Sequence, residues 1–438
     1  MVSPNEMLQA YQPYQSEYRL LVGFEYEVQL FDLNLVPLKY DRLSEILEEA
    51  RRRIGGKAVS EAVFNKVVLP GGGLLSLEPG GQFEFSSAPT PNFLGCVKQI
   101  EWFDRLLSYI KRRFGVHVFY GGVNPVHTVD EIGLVLPTER YKMMNDYFPR
   151  VGTMGRRMMR QSCSVQVTFD YQNPELGTDL LRTACFLSPF AAAIFANAPF
   201  VDGERTEYRS YRAAIWDDTD SARSGLPPGF HRPDYSFKDY LDFVVEAPMF
   251  FLDDYAGGLV DAECMRFSTY NRDGFRGRSA TLDDFLRHNS TIFTDVRLKH
   301  TVEVRSIDGQ DPDLVPSVLA FLSGLLLCSA ARQRAKEVLS TIDAEAYCGL
   351  NERLGREGIS GEVDGRPVAE LVMELIDVAA DGLTNCFVDG TDALPYLEPL
   401  RRLAAQAQTP ADVVLGRFET ARAWLEAGRT FGPGGATL

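Results

Sequence analysis

Residues 69–89 read LPGGGLLSLEPGGQFEFSSAP, and the reading of this stretch decides the fold. Pro70 to Gly73 makes a turn, Leu74 to Leu77 is a short apolar run, and Glu78 stands directly before a second Pro-Gly-Gly turn. Beyond that turn Gln82, Glu84 and Ser86 alternate with Phe83 and Phe85, the period-two pattern of a half-buried strand whose polar face carries a carboxylate.

Three other segments repeat the pattern. Glu25, Glu27 and Gln29 oppose Phe24, Tyr26 and Val28, and Glu303 and Arg305 oppose Val302 and Val304. Ser162, Ser164, Gln166 and Thr168 oppose Cys163, Val165, Val167 and Phe169. Paired in one antiparallel sheet with helices behind it, these strands bring Glu25, Glu27, Glu84 and Glu303, with Glu78 at a turn, to one concave surface. Carboxylates so gathered repel one another and need cations or raised pKa values. With no Cys or His cluster beside them, the expected cation is hard: Mg²⁺, or alternatively Mn²⁺, sharing its shell with phosphate.

The chain has 438 residues and is 45% hydrophobic, enough for a substantial core. Its formal charge of −15, from 45 basic and 60 acidic residues, argues against nucleic acid or an anionic membrane as partner. No secretory signal is visible near residue 1, and seven cysteines without metal spacing are expected to be mainly reduced thiols of a cytoplasmic protein. The apolar run 314–331 is expected to be a buried core helix continuing through Arg332 to Lys336.

Helices are expected at 43–54, ended by Gly55-Gly56, and at 92–114, 138–148, 179–195, 236–246 and 281–288. Residues 121–136 read as a loop. Arg140, Arg150, Arg156, Arg157 and Arg160 are either a solvated surface or a grip on phosphates and carboxylates. The stretch TEYRSYRAAIWDDTDSARSG reads as a substrate-contacting loop. The five histidines show no spacing that suggests zinc or a triad, and neither GxxxxGK[ST] nor GxGxxG occurs. One catalytic domain is expected over residues 1–438, with a flexible N-terminus at 1–18, a mainly helical part at 313–428 and a tail at 429–438.

With these residues in hand, LSLEPGGQFEFSSAP resembles the S-[IL]-E-P-G-G-Q-x-E-[LF]-S signature of the glutamate–cysteine ligase family, in the branch shared by plants and many bacteria. PTERYKMMNDYFPRVGTMGRRMM, SCSVQVTFDY, ANAPF, SYRAAIWDDTD, APMFF and RLKHTVEVRSIDGQ resemble further blocks in the same order. The resemblance implies a glutamine synthetase-like α+β fold: a curved, largely antiparallel sheet with the active site on its concave face and helices on its convex face. It implies ATP as co-substrate and a γ-glutamyl phosphate intermediate, with cysteine the default acceptor amine. Glutathione biosynthesis is the implied context.

Carried over position by position, the resemblance assigns two or three Mg²⁺ ions to Glu25, Glu27, Glu78, Glu84 and Glu303, and ATP phosphate to Arg305. Arg140 and Arg212 would hold substrate carboxylates or stabilise the acyl phosphate, and Gln166 and Trp216 would wall the pocket. The implied partners are small molecules only, and the protein is a monomer or homodimer. One departure falls in the loop before Arg140, where plant-type members carry Pro-Lys-Trp and this chain has Asn124, Pro125, Val126 and His127. Two other functions remain open at this point: a γ-glutamyl ligase for a different amine, and a catalytically silent relative that binds nucleotide or amino acid.

Overall fold

The computed structural model describes residues 1–12, 20–59, 63–253, 258–347, 349–386 and 389–431. Nine strands form the main sheet: β1 (Val22–Phe31), β2 (Lys57–Ala58), β3 (Lys66–Val68), β4 (Leu74–Leu77), β5 (Phe83–Ser86), β6 (His117–Phe119), β7 (Ser164–Phe169), β8 (Val296–Leu298) and β9 (Val302–Asp308). They run in the order β8-β9-β7-β1-β5-β4-β3-β2, with β6 beside the far end of β1, and every pairing is antiparallel. The four alternating segments are thus contiguous, in the order β9-β7-β1-β5.

Alternation along β1 sends Phe24, Tyr26 and Val28 to the helix-covered face, where they are buried. Phe103 of the Phe93–Phe114 helix lies against Tyr26, Phe83 and Phe85, with ring centroids 5.6, 6.1 and 5.1 Å away. That helix begins where the Asn92 side chain accepts a hydrogen bond from the Gly95 N–H at 2.7 Å, and ends at Gly115 in the left-handed conformation. The Tyr40–Ile54 helix buries Leu43, Ile46, Leu47 and Ala50 and closes on left-handed Gly55. The Pro174–Ile194 helix packs on β9 and is covered in turn by the C-terminal helices.

Several expectations are corrected. The run at 314–331 is not one helix but two, Val315–Leu327 and Ser329–Leu339, meeting at 96°. Cys328 is extended at the joint, and the bend lets Arg332 and Lys336 both reach Asp179. Among the described residues no single helix is long and apolar enough to cross a membrane. Cys96, Cys163 and Cys185 are buried free thiols and Cys264 is a half-buried one, but Cys328 is disulfide-bonded.

The N-terminal residues expected to be flexible include the Pro4–Gln9 helix, with a reciprocal Ser3/Glu6 cap. Tyr11 is fully buried against Phe237, Tyr240 and Phe285, while 13–19 lie outside the described residues. At the other end, the Thr430 and Phe431 N–H groups donate to Asp311 Oδ2 at 2.7 and 2.6 Å, so this part of the expected tail is docked; 432–438 lie outside the described residues. The 121–136 segment contains a one-turn helix, Val129–Ile132.

Candidate active site

The Pro79-Gly80-Gly81 turn fixes two of the acidic residues relative to each other. Gly81 takes φ +86°, and its N–H donates to the Glu78 carbonyl at 2.8 Å. A Cβ on Gly80 would stand 2.2 Å from the Arg160 carbonyl oxygen, so the turn presses directly on the Gly155–Gln161 helix. Gln82 Nε2 donates to the Met159 and Ser162 carbonyls at 3.2 and 2.9 Å, tying the turn to the lead-in of β7.

Sheet register does the rest. Glu27 pairs with Glu84 across β1 and β5, Glu25 with Gln166 across β1 and β7, and Glu303 with Arg297 across β9 and β8. The open face of this sheet forms the floor of a cavity of about 600 Å³ lined by Glu25, Glu27, Glu78, Glu84, Gln166 and Arg305. Arg140 of the Glu139–Tyr147 helix and Arg212 and Trp216 of the Tyr211–Asp217 helix line its upper walls. Of the ten residues assigned from sequence, nine line the cavity directly, and Glu303 is bonded to two of its lining arginines.

The electrostatics divide the site. Burial raises Glu25 to about 8, helped by the charges of Glu84 and Glu303. Burial and the neighbouring Glu78 and Glu27 raise Glu84 to about 8, although Ser76 and Ser86 donate to its Oε1 at 2.8 and 3.2 Å. Glu78 is raised to about 7 by burial and Glu27, and accepts from Tyr141 Oη at 3.1 Å. Burial also raises Glu27, against the pull of Arg212 and two hydrogen bonds from Ser164 at 2.6 and 3.0 Å. These four carboxyls are short of positive charge.

Glu303 is the opposite case. Burial works against its charge, but Arg297, Arg305 and Lys299 outweigh it and hold the carboxyl far below its usual range. Arg297 Nε donates to Glu303 Oε2 at 2.7 Å and Arg305 Nη1 to the same oxygen at 3.3 Å; Oε1 accepts nothing among the described residues. Arg305 Nη1 also donates to Gln166 Oε1 at 2.5 Å, and Arg212 Nη2 to the Arg305 carbonyl at 2.8 Å. Arg212 Nε, Arg305 Nε and Trp216 Nε1 are buried donors without a partner among the described residues, and all three residues line the cavity. Orphaned buried donors are costly, and a ligand with acceptor oxygens would satisfy them.

The five-arginine cluster is not one site. Only Arg140 lines the cavity, held by Ser290 Oγ at 3.2 Å; Arg150 pairs with Asp261 at 3.2 Å, Arg157 with Asp202 at 2.6 Å, and Arg156 and Arg160 bond to Asn145. The charged aromatic stretch expected as a loop is helical over Tyr211–Asp217, capped by Ser210. Within it Arg209 pairs with Asp412 and Asp220 with buried Arg223, so only Arg212 and Trp216 are left for the cavity. Asn124 to His127 do not line it; His127 stacks on Phe31 instead, with centroids 5.7 Å apart.

Sequence reasoning missed Lys66, Tyr141, Arg297 and Lys299, all of which line the cavity. The last two carried a usable signal: Val296, Leu298 and Arg297, Lys299 alternate as Val302, Val304 and Glu303, Arg305 do.

The model of glutamate-cysteine ligase family 2 matches residues 21–428. The chain is 30% identical over 406 residues to glutamate–cysteine ligase B, chloroplastic, of Oryza sativa subsp. japonica, covering 91% of this chain and 80% of that one. It is 28% identical over 409 residues to the chloroplastic glutamate–cysteine ligase of Nicotiana tabacum, covering 92% and 77%. The crystal structure of glutamate–cysteine ligase from Francisella tularensis in complex with AMP shares the fold, with a TM-score of 0.58 at 12% identity over 94% of this chain and 88% of that one. Sheet, cavity and matches together define an ATP-dependent carboxylate–amine ligase of the glutamine synthetase-like fold. Within that class the chain belongs to glutamate-cysteine ligase family 2.

Proposed function

We propose that this protein joins the γ-carboxylate of glutamate to the amino group of cysteine through a γ-glutamyl phosphate, using Mg²⁺ and ATP. One observation carries the reading: a single cavity sets four under-neutralised glutamates against arginines whose buried N–H groups lack acceptors. An ATP–Mg²⁺ pair supplies both missing halves, cation to the carboxylates and phosphate oxygens to the guanidinium groups.

The donor set fits a hard divalent ion, since it is all carboxylate oxygen without Cys or His. Among the described residues no group of three or more acidic, His or Cys side chains is arranged to hold a metal ion, so an ion here would have to draw much of its shell from phosphate and water. Glu25, Glu27, Glu78 and Glu84 would hold it, together with the free Oε1 of Glu303. Bound there, Mg²⁺ would neutralise phosphate charge.

The chain's own groups perform the positioning. Arg305 and Arg297, oriented by Glu303, face the transferring phosphoryl group, and guanidinium forks match its oxygens. Arg212 and Trp216 Nε1 offer donors to the acyl phosphate, and Arg140 to a substrate carboxylate. When the amine attacks the acyl carbon, the C–N bond forms as the C–O bond to phosphate breaks, the amine gives up one proton to the leaving phosphate, and the same arginines receive the departing anion.

Phosphate release measured with Mg²⁺, ATP and glutamate, with and without each of a panel of amines, tests the reading. The expected outcome is release that depends on cysteine, with γ-glutamylcysteine identified by mass spectrometry. Release driven only by another amine would move the protein to a different acceptor, and binding of ATP without turnover would make it a silent relative.

A further inference from the structure

A second cavity, of about 250 Å³, lies between the 225–231 loop and the start of the Leu350–Glu357 helix. Its apolar side is Leu226, Pro227, Phe230 and Tyr347; its polar side is Asp217 and Asn351, with His231 among the lining residues. Tyr347 is 6% exposed, and its ring meets Phe230 and Phe186 edge-on, with centroids 5.6 and 5.5 Å away.

Two polar atoms on residues of this wall are buried and, among the described residues, unpartnered: Tyr347 Oη and Asn351 Oδ1. Native structures rarely leave such atoms unpaired, and both belong to residues that line the cavity. Asn351 Oδ1 can only accept. Asp217 makes no ion pair among the described residues, and the charges that bear on it are those of Asp218 and of Glu352, the latter paired with Arg356 at 2.7 Å. Pro227 and Pro228 add carbonyls but no N–H, and among the described residues neither lysine nor arginine lines the cavity. The site therefore offers acceptors, negative charge and aromatic faces, which together suit an ammonium group on a short apolar body and repel a carboxylate. Its volume falls below the roughly 300–1,000 Å³ of drug-sized pockets, so the occupant is small.

The wall of this cavity is joined to the first one. Asn351 Nδ2 donates to Asp295 Oδ2, and the Asp295 N–H donates to the Gly225 carbonyl at 2.9 Å. The Arg305 N–H donates to the Asp295 carbonyl at 2.8 Å, and Arg212 Nη2 donates to the Arg305 carbonyl at 2.8 Å. A donor placed on Asn351 Oδ1 polarises the amide and strengthens its bond to Asp295, at the start of this chain of bonds. We propose that this cavity is a second small-molecule site, for an organic ammonium ion without a carboxylate, and that it is coupled to the arginines of the first cavity through Asn351 and Asp295.

Calorimetric titration of the full-length protein with n-butylammonium chloride, and with sodium butyrate at matched ionic strength, tests the site. Saturable binding of butylammonium without binding of butyrate is expected. Asp217→Asn should weaken it at least about fivefold, and Leu226→Trp, which fills the cavity, should abolish it. Both positions lie outside the first cavity, so these losses assign the heat to the second. No saturable heat, equal binding of butyrate, or wild-type binding by both variants would overturn the site. At saturating butylammonium the KM for ATP should change by about fivefold, the low end of ordinary coupling between sites, and Asp217→Asn should remove that response. An unchanged KM would overturn the coupling.

Discussion

Replacing Glu84 by glutamine keeps a carbonyl oxygen for the Ser76 and Ser86 hydroxyls while removing the charge. The Glu84 carboxyl would ionise near 4.5 in the unfolded chain and is raised to about 8 in the folded one by burial, Glu78 and Glu27. A raised carboxyl contributes its full stability below pH 4.5 and loses it as pH climbs through about 8, because the folded chain must keep a proton that the unfolded chain has released. Each pH step above 4.5 costs about 1.4 kcal/mol, hence roughly 3 kcal/mol at pH 7 and roughly 1 kcal/mol at pH 5.5. Glutamine does not ionise and avoids this loss. In EDTA, Glu84→Gln should therefore be the more stable protein, by about 3 °C in Tm at pH 7 for a chain of 438 residues, and by less at pH 5.5. Adding Mg²⁺ should raise the wild-type Tm and barely move the variant, whose turnover should fall at least about 100-fold. Differential scanning fluorimetry at both pH values, with EDTA and with Mg²⁺, reads all of this. A variant that is less stable than wild type in EDTA, or that keeps the wild-type pH slope, would refute the claim that Glu84 lacks a counter-charge.

Arg305→Lys keeps the charge but loses the planar guanidinium whose Nη1 reaches both Gln166 and Glu303, and single-turnover phosphate release should slow by about 100-fold. Tyr141→Phe removes the hydroxyl that donates to Glu78 and lowers its pKa, so the Glu78 carboxyl should titrate at higher pH by carbon NMR in the metal-free protein. Asp311→Ala strips the acceptor from the Thr430 and Phe431 N–H groups; urea unfolding should show a loss of about 2 kcal/mol or more, with cleavage near residue 428 under limited proteolysis. Gly80→Ala drives a Cβ into the Arg160 backbone and should lower stability by about 3 kcal/mol, measured by the same urea titration.

Legibility followed the range of the interactions. A strand's two faces are set by local alternation, so Glu25, Glu27, Glu84 and Glu303 could be put on polar faces without coordinates, and the helix end at Gly55 could be read from capping chemistry. The resemblance blocks, which hold most of the site residues, implied a curved antiparallel sheet with the active site on its concave face. The break at Cys328 was not legible, because an apolar run looks the same whether or not it bends, and what bends this one is bound up with Asp179, roughly 150 residues earlier. Nor could the sequence sort its arginines: Arg140 and Arg157 differ in the partners that folding brings to them, Ser290 and Asp202.

The amino-acid sequence alone determined which side chains share a face and which chemical class of ion those faces want, since both follow from backbone periodicity and from the hardness of carboxylate oxygen. Only the tertiary structure decided that Glu303 is already matched by Arg297 and Arg305 while Glu25 and Glu84 are not. Charge balance inside a protein depends on distances across strands that are remote in the chain, and on how much water each group has lost, and neither is written in local order.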